Sequence, residues 1–119
     1  MRRLFIVLAA AVLGAAVSGC HAKASLTLLQ AQGKQVFDVG CAHCHVSNDL
    51  HMQPAPPDLR GLFSHPTLPG GEPATDASVQ HLLMTGKGRM PSFAYQMTPR
   101  QMAAVIAYLK VYGTGAKAD

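Results

Sequence analysis

Apolar positions pass through distinct regimes along this chain. From Leu4 to Val17 they form a charge-free run behind Arg2 and Arg3. Leu29, Gly33, Val36, Phe37 and Gly40 then recur at intervals of three and four, which puts them on one face of a helix. Periodicity is lost from Val46 to Gly71, where Pro54, Pro56, Pro57, Pro66 and Pro69 stand among Gly61, Gly70 and Gly71. Prolines without a backbone donor and turn-forming glycines exclude a regular element there, so the segment is expected to be an ordered loop. Leu82 and Leu83 give a short helix its apolar side, and Met102, Val105, Ile106, Leu109 and Tyr112 form the stripe of a last one. Neither strand-like alternation nor an internal repeat is present. The pattern predicts an all-α chain of three to four helices.

The helix boundaries are written in the polar residues. Thr27-Leu28-Leu29-Gln30 has the form of a capping box, a hydroxyl that opens a helix and an amide three residues on that closes it. Thr98-Pro99-Arg100-Gln101 is a second, with proline at the first helical position. Thr75 or Asp76 caps the short helix, which runs through Met84 and stops at Gly86. Pro91 biases Met90 towards an extended backbone, so Gly88-Arg89-Met90-Pro91 has left that helix. Gly33, one turn before Phe37, leaves room for a second helix to approach closely.

The amino-terminal run changes where the folded chain is expected to begin. A basic pair, a short apolar core and small residues before a cut read as an export signal. The run is shorter than the roughly 20 apolar residues of a spanning helix. Val17-Ser18-Gly19-Cys20 resembles the lipobox of bacterial lipoproteins, which implies cleavage before Cys20 and lipid on its sulfur. A rival cut follows Ala24, since Ala22-Lys23-Ala24 fits the small-x-small rule and would release a soluble protein. The expected organisation is a signal at 1–19, a short membrane tether at 20–26, one domain at 27–113 and a flexible tail at 114–119.

Composition adds a need for a cofactor. The net charge of +4 falls by two once Arg2 and Arg3 are removed, and no basic run suggests nucleic acid. One small domain without a single Trp buries a limited core, and such domains commonly rely on a staple or a prosthetic group.

The cysteines say which group. Three is an odd number for an exported chain, unless Cys20 carries lipid and the other two belong together. Cys41-Ala42-His43-Cys44-His45 has the spacing of covalent c-type haem attachment. Two intervening residues let both sulfurs reach the vinyl groups on one ring edge, and the next imidazole then lies beneath the iron. Zinc would require four ligands, and His51, His65 and His81 stand at no metal-ligand spacing. A dithiol–disulfide enzyme, with His43 lowering a thiolate pKa, would require an apolar strand before the motif, where the pattern is helical.

From Leu28 to Tyr112 the chain resembles a class I, single-haem cytochrome c. The likeness rests on Gly33 and Phe37, Cys41 to His45, Pro57-Asp58-Leu59-Arg60-Gly61, Gly86-Lys87-Gly88-Arg89-Met90-Pro91-Ser92-Phe93 and Ala107-Tyr108-Leu109. It implies a small cytochrome c fold wrapped around one haem c held by two thioethers. It also implies that His45 and Met90 are the axial iron ligands and that the Pro57 carbonyl accepts the His45 Nδ1 proton. Gly33 and Phe37 would pack on Val105 and Tyr108 where the first and last helices cross. A thioether is more often core filler, and Met52, Met84, Met97 and Met102 are expected to be that. Candidate propionate partners are Arg60, Lys87, Arg89 and Tyr95; Lys34, Lys87 and Arg89 could also ring an exposed haem edge and steer an acidic partner.

With both axial positions filled, the implied function is single-electron transfer on the periplasmic side, by an electron carrier and not an enzyme. Redox proteins, mainly membrane-associated ones, are the expected partners. The alternatives are a bound haem subunit of a larger oxidase or dehydrogenase, a gas sensor or enzyme with a labile Met90, and the thiol–disulfide oxidoreductase.

Overall fold

The computed structural model describes residues 24–115, and the export signal, Cys20 and residues 116–119 lie outside them. Four α-helices and one 3-10 turn make up the described chain: α1 (Leu28–Gly40), α2 (Ala42–His45), the turn at Leu62–Ser64, α3 (Asp76–Thr85) and α4 (Pro99–Leu109). The two short antiparallel bridges, Thr67 with Pro73 and Lys87 with Met90, belong to turns and not to strands. The expected all-α fold is the one observed.

Both capping boxes form. Thr27 Oγ1 accepts the Gln30 amide at 3.2 Å and Gln30 Oε1 accepts the Thr27 amide at 2.9 Å. The Thr98–Gln101 pair repeats this at 3.2 and 2.8 Å, with Pro99 at the first helical position. Thr75 caps α3 and Gly86 ends it. One refinement concerns the haem motif: α1 stops at Gly40, and the motif makes a separate helical turn. Another is the 3-10 turn at Leu62–Ser64, inside a segment expected to hold no regular element. Gly61 opens it at φ +65°, a conformation that favours glycine.

The first and last helices form the frame. A β-carbon on Gly33 would lie 1.9 Å from the Ala104 carbonyl oxygen and 2.9 Å from Tyr108 Cβ, so only glycine permits this crossing. Phe37 sits edge-on against Tyr108, ring centres 5.4 Å apart, and tilted against Tyr112 at 4.8 Å. Phe37 and Val105 are the largest fully buried side chains. On α4 Val105 and Tyr108 are buried as expected where the helices cross, and the burial extends further to Ala104, which α1 covers. Leu29, by contrast, is exposed at the open end of α1.

α3 packs more lightly on α4 through Val79 and Leu83. Two backbone ties close the frame around the loops: the Gly61 amide donates to the Tyr112 carbonyl at 2.7 Å, and the Phe93 amide to the Leu83 carbonyl at 2.7 Å. The chain past α4 continues in turns, where the Thr114 hydroxyl and amide both donate to the Val111 carbonyl. Of the segment expected as a flexible tail, 114–119, residues 116–119 lie outside the described residues.

Candidate functional site

The motif Cys41 to His45 is one helical turn. Cys44 and His45 both donate their amides to the Cys41 carbonyl, at 3.2 and 2.9 Å. Positions i, i+3 and i+4 of a helix share one face, so both sulfurs and the imidazole point the same way. All three line a cavity of about 740 Å³ between this turn, the proline-rich loop, α3, the Met90 loop and α4. That volume falls in the range of about 300–1,000 Å³ typical of cofactor pockets.

His45 is held from behind. Its Nδ1 donates to the Pro57 carbonyl at 2.8 Å, which leaves Nε2 as the free, basic nitrogen. Pro57 is carried by an anchored loop: Asn48 exchanges two hydrogen bonds with the backbone of Met52, at 2.9 and 3.2 Å. Directly after Pro57, Asp58 accepts from the Arg60 amide at 2.9 Å and from its guanidinium.

Met90 enters the same cavity from the far end of the sequence. It closes a tight turn in which its amide donates to the Lys87 carbonyl at 3.0 Å and its carbonyl accepts the Lys87 amide at 3.1 Å. Gly88 takes φ +58° inside the turn. Gly86, at φ +70°, lets the Met90 carbonyl pass where a β-carbon would stand only 2.5 Å away. The Ser92 hydroxyl donates to the Met84 carbonyl and ties this loop to the end of α3.

The rest of the lining is mostly aliphatic, with Leu62, Leu68, Val79, Leu83, Val105 and Leu109 among its members. Glu72, Lys87, Arg89 and Gln96 supply its polar part. A flat apolar ring with two carboxylate arms fits this chemistry: two thiols on one wall, one imidazole and one thioether available as donors, aliphatic walls, and cationic side chains for the anionic arms. Covalent haem c is the group that these residues suit.

The geometry sorts the other sequence candidates. Lys87 and Arg89 line the cavity, whereas Arg60, Tyr95 and Lys34 do not. Arg60 is paired with Asp58, Lys34 with Asp38, and Tyr95 is fully exposed. His51, His65 and His81 are exposed and none lines the cavity. Of the methionines expected as filler, Met102 is buried, Met97 packs on the core, Met52 lines the cavity and Met84 is exposed. Glu72 and Gln96 carry no sequence signal, because loop closure alone brings them to the wall.

Two rivals lose their basis. Burial pushes the Cys41 thiol up to about 11, with Cys44 adding to the effect. A thiol–disulfide enzyme depends on a lowered thiolate pKa and a preceding strand, and Cys41 follows a helix. Among the described residues no group of three His, Cys, Asp or Glu side chains could hold zinc.

A helical shell whose Cys-x-x-Cys-His turn, free imidazole and looped methionine meet in one cavity defines a haem-binding electron carrier. The comparisons with known proteins agree. Residues 29–109 match the family described as cytochrome C oxidase, cbb3-type, subunit III. The cytochrome c6 of Tetradesmus obliquus is 31% identical over 87 residues, covering 73% of this chain and 94% of that one. The crystal structure of cytochrome c6 from the diatom Phaeodactylum tricornutum superposes with a TM-score of 0.52 at 26% identity, covering 71% of this chain and 94% of that chain. The chain belongs to the cytochrome c family. It binds one covalent haem c and transfers electrons.

Proposed function

We propose that His45 Nε2 and the Met90 sulfur are the two axial ligands, with Cys41 and Cys44 forming the thioethers and Pro57 orienting His45. The observation that carries this reading is the 2.8 Å hydrogen bond from His45 Nδ1 to Pro57. It fixes the tautomer with Nε2 free and holds the ring in orientation, as ligand-supporting partners do. When bound, haem c supplies the Fe(III)/Fe(II) couple. The chain's own part is to fill both axial positions, exclude water and leave a ring edge within reach of a partner. A thioether ligand favours the reduced state and raises the potential. Carbon monoxide tests the assignment: the reduced protein is expected to resist it and the Met90→Ala variant to bind it readily. Rapid binding by the unaltered protein would remove Met90 from the iron.

The domain is also proposed to act outside the cytoplasm, tethered by lipid on Cys20. Val17-Ser18-Gly19-Cys20 supports this, and from Cys20 to Thr27 the chain reaches at most about 25 Å. No helix of the described residues is long and apolar enough to cross a membrane. Membrane-associated redox proteins would then be met first. Partition of the protein into detergent, abolished by Cys20→Ala, is the expected result; an aqueous protein beginning after Ala24 is the contrary one. A second reading, a bound subunit of a larger oxidase, is favoured by the description of the matching family. A stoichiometric partner after mild extraction would support it, and a monomer would count against it.

A further inference from the structure

The haem cavity has one acidic side chain in its wall. Glu72 lines it beside Lys87 and Gly70, whereas the carboxylates of Asp38, Asp58 and Asp76 pair with cations elsewhere on the surface. The two oxygens of Glu72 are in unlike surroundings. Oε1 accepts from Lys87 Nζ at 2.5 Å. Oε2 is shielded from solvent and has no hydrogen-bond partner.

Gly70 makes the arrangement possible. A β-carbon there would lie 2.4 Å from Glu72 Oε2 and 2.3 Å from Lys87 Nζ. The backbone holds the carboxylate in place, since the Leu68 amide donates to the Glu72 carbonyl at 2.7 Å and the Gly71 amide to the Leu68 carbonyl at 2.8 Å. Hydrogen bonding from Lys87 keeps the Glu72 carboxyl below its ordinary range, so it is anionic at neutral pH. A half-unpartnered carboxylate is costly to keep out of water, and a group filling the cavity covers the wall that Glu72 lines. The Glu72 side chain is 38% exposed and only Oε2 is shielded, so its charge acts on the cavity through a partly screened path.

We propose that Glu72, positioned by Lys87 over Gly70, is the charge that sets the haem potential, its carboxylate favouring the ferric state. The inference rests on the haem reading of the cavity, and it assigns Glu72 as a positioning and electrostatic residue, not an iron ligand. Removing the anion raises the potential, and removing the cation lowers it.

The test is spectroelectrochemical titration of the haem-loaded protein and of E72Q, K87Q and D38N. The E72Q midpoint is expected to shift upward and the K87Q midpoint downward, while D38N, a carboxylate outside the cavity, stays close to the unaltered protein. The far-red band of the Met–iron bond should persist in all three. An E72Q midpoint that is unchanged or lower, with that band intact, overturns the proposal. Loss of the band in E72Q also overturns it, because Glu72 would then merely hold the Met90 loop. Should E72Q fail to accumulate, E72A decides: a higher midpoint supports the proposal and an unchanged or lower one overturns it. Absence of covalent haem from the unaltered protein would instead sink the haem reading itself, which keeps the two failures apart.

Discussion

His45 and Pro57 are twelve residues apart in sequence and joined by one hydrogen bond of 2.8 Å, from the imidazole Nδ1 to the proline carbonyl. The bond links the haem-attachment turn to the proline-rich loop, and the loop in turn reaches α4 through Gly61 and Tyr112. The orientation of the imidazole therefore depends on the whole frame. Proline at position 57 restricts the backbone that presents this carbonyl.

The frame itself depends on Gly33. Gly33→Ala would drive a methyl group against the Ala104 carbonyl, a backbone atom that cannot swing aside. Overpacking of this kind costs about 1–3 kcal/mol, and more where backbone must move. Denaturant unfolding of the haem-loaded variant is expected to show a loss of at least that size. A change within a few tenths of a kcal/mol would contradict the crossing described.

Gly86 is expected to matter for ligation more than for stability. Its φ of +70° and the 2.5 Å approach of the Met90 carbonyl leave no place for a β-carbon. Gly86→Ala should displace the Met90 turn, weaken the far-red band and admit carbon monoxide to the reduced iron. Retention of the full band would show that the turn tolerates the change.

The second capping box sets the start of α4. Thr98→Ala removes the hydroxyl that accepts the Gln101 amide, and loss of such a cap costs about 1 kcal/mol. The expected outcome is a lower unfolding midpoint with an unchanged visible spectrum, measured by circular dichroism and absorption on one sample. A spectral change would place Thr98 nearer the haem than the fold does.

Acid should expose the Asp58–Arg60 pair. Hydrogen bonding from the Arg60 side chain, and then from its amide, lowers Asp58 to about 2, against an unfolded value of about 3.9. A depressed carboxylate contributes stability above its unfolded value and loses it as pH falls through the folded one. The contribution is therefore complete above about pH 4 and gone below about pH 2, and it is small because the pair is open to solvent. The stability difference between the protein and Asp58→Asn should close across that window; a constant difference would mean that Asp58 acts through packing.

Much of this was legible in the residues alone. Capping boxes at Thr27 and Thr98 and the stop at Gly86 are local chemistry, so a sequence displays them. Cys41, Cys44 and His45 are legible because they lie within one turn and their spacing is itself the geometry. What the sequence hides is set by loop closure. Arg60 looked available for a propionate, yet Asp58 two residues away satisfies it first. Glu72 sits in an unremarkable Gly-Gly-Glu-Pro stretch and reaches the cavity wall only because Leu68 to Glu72 closes on itself. Met84 and Leu29 read as core and are exposed, since a helical stripe does not say how far its cover extends.

The proposed centre is one covalent haem with His45 and Met90 as the iron's two protein ligands. The most direct test is the absorption spectrum of the full chain after export and haem attachment. The expected result is a c-type spectrum that survives denaturation and, in the ferric state, a weak far-red band that Met90→Ala abolishes. Denaturation that frees the haem, or a band indifferent to Met90→Ala, would contradict it.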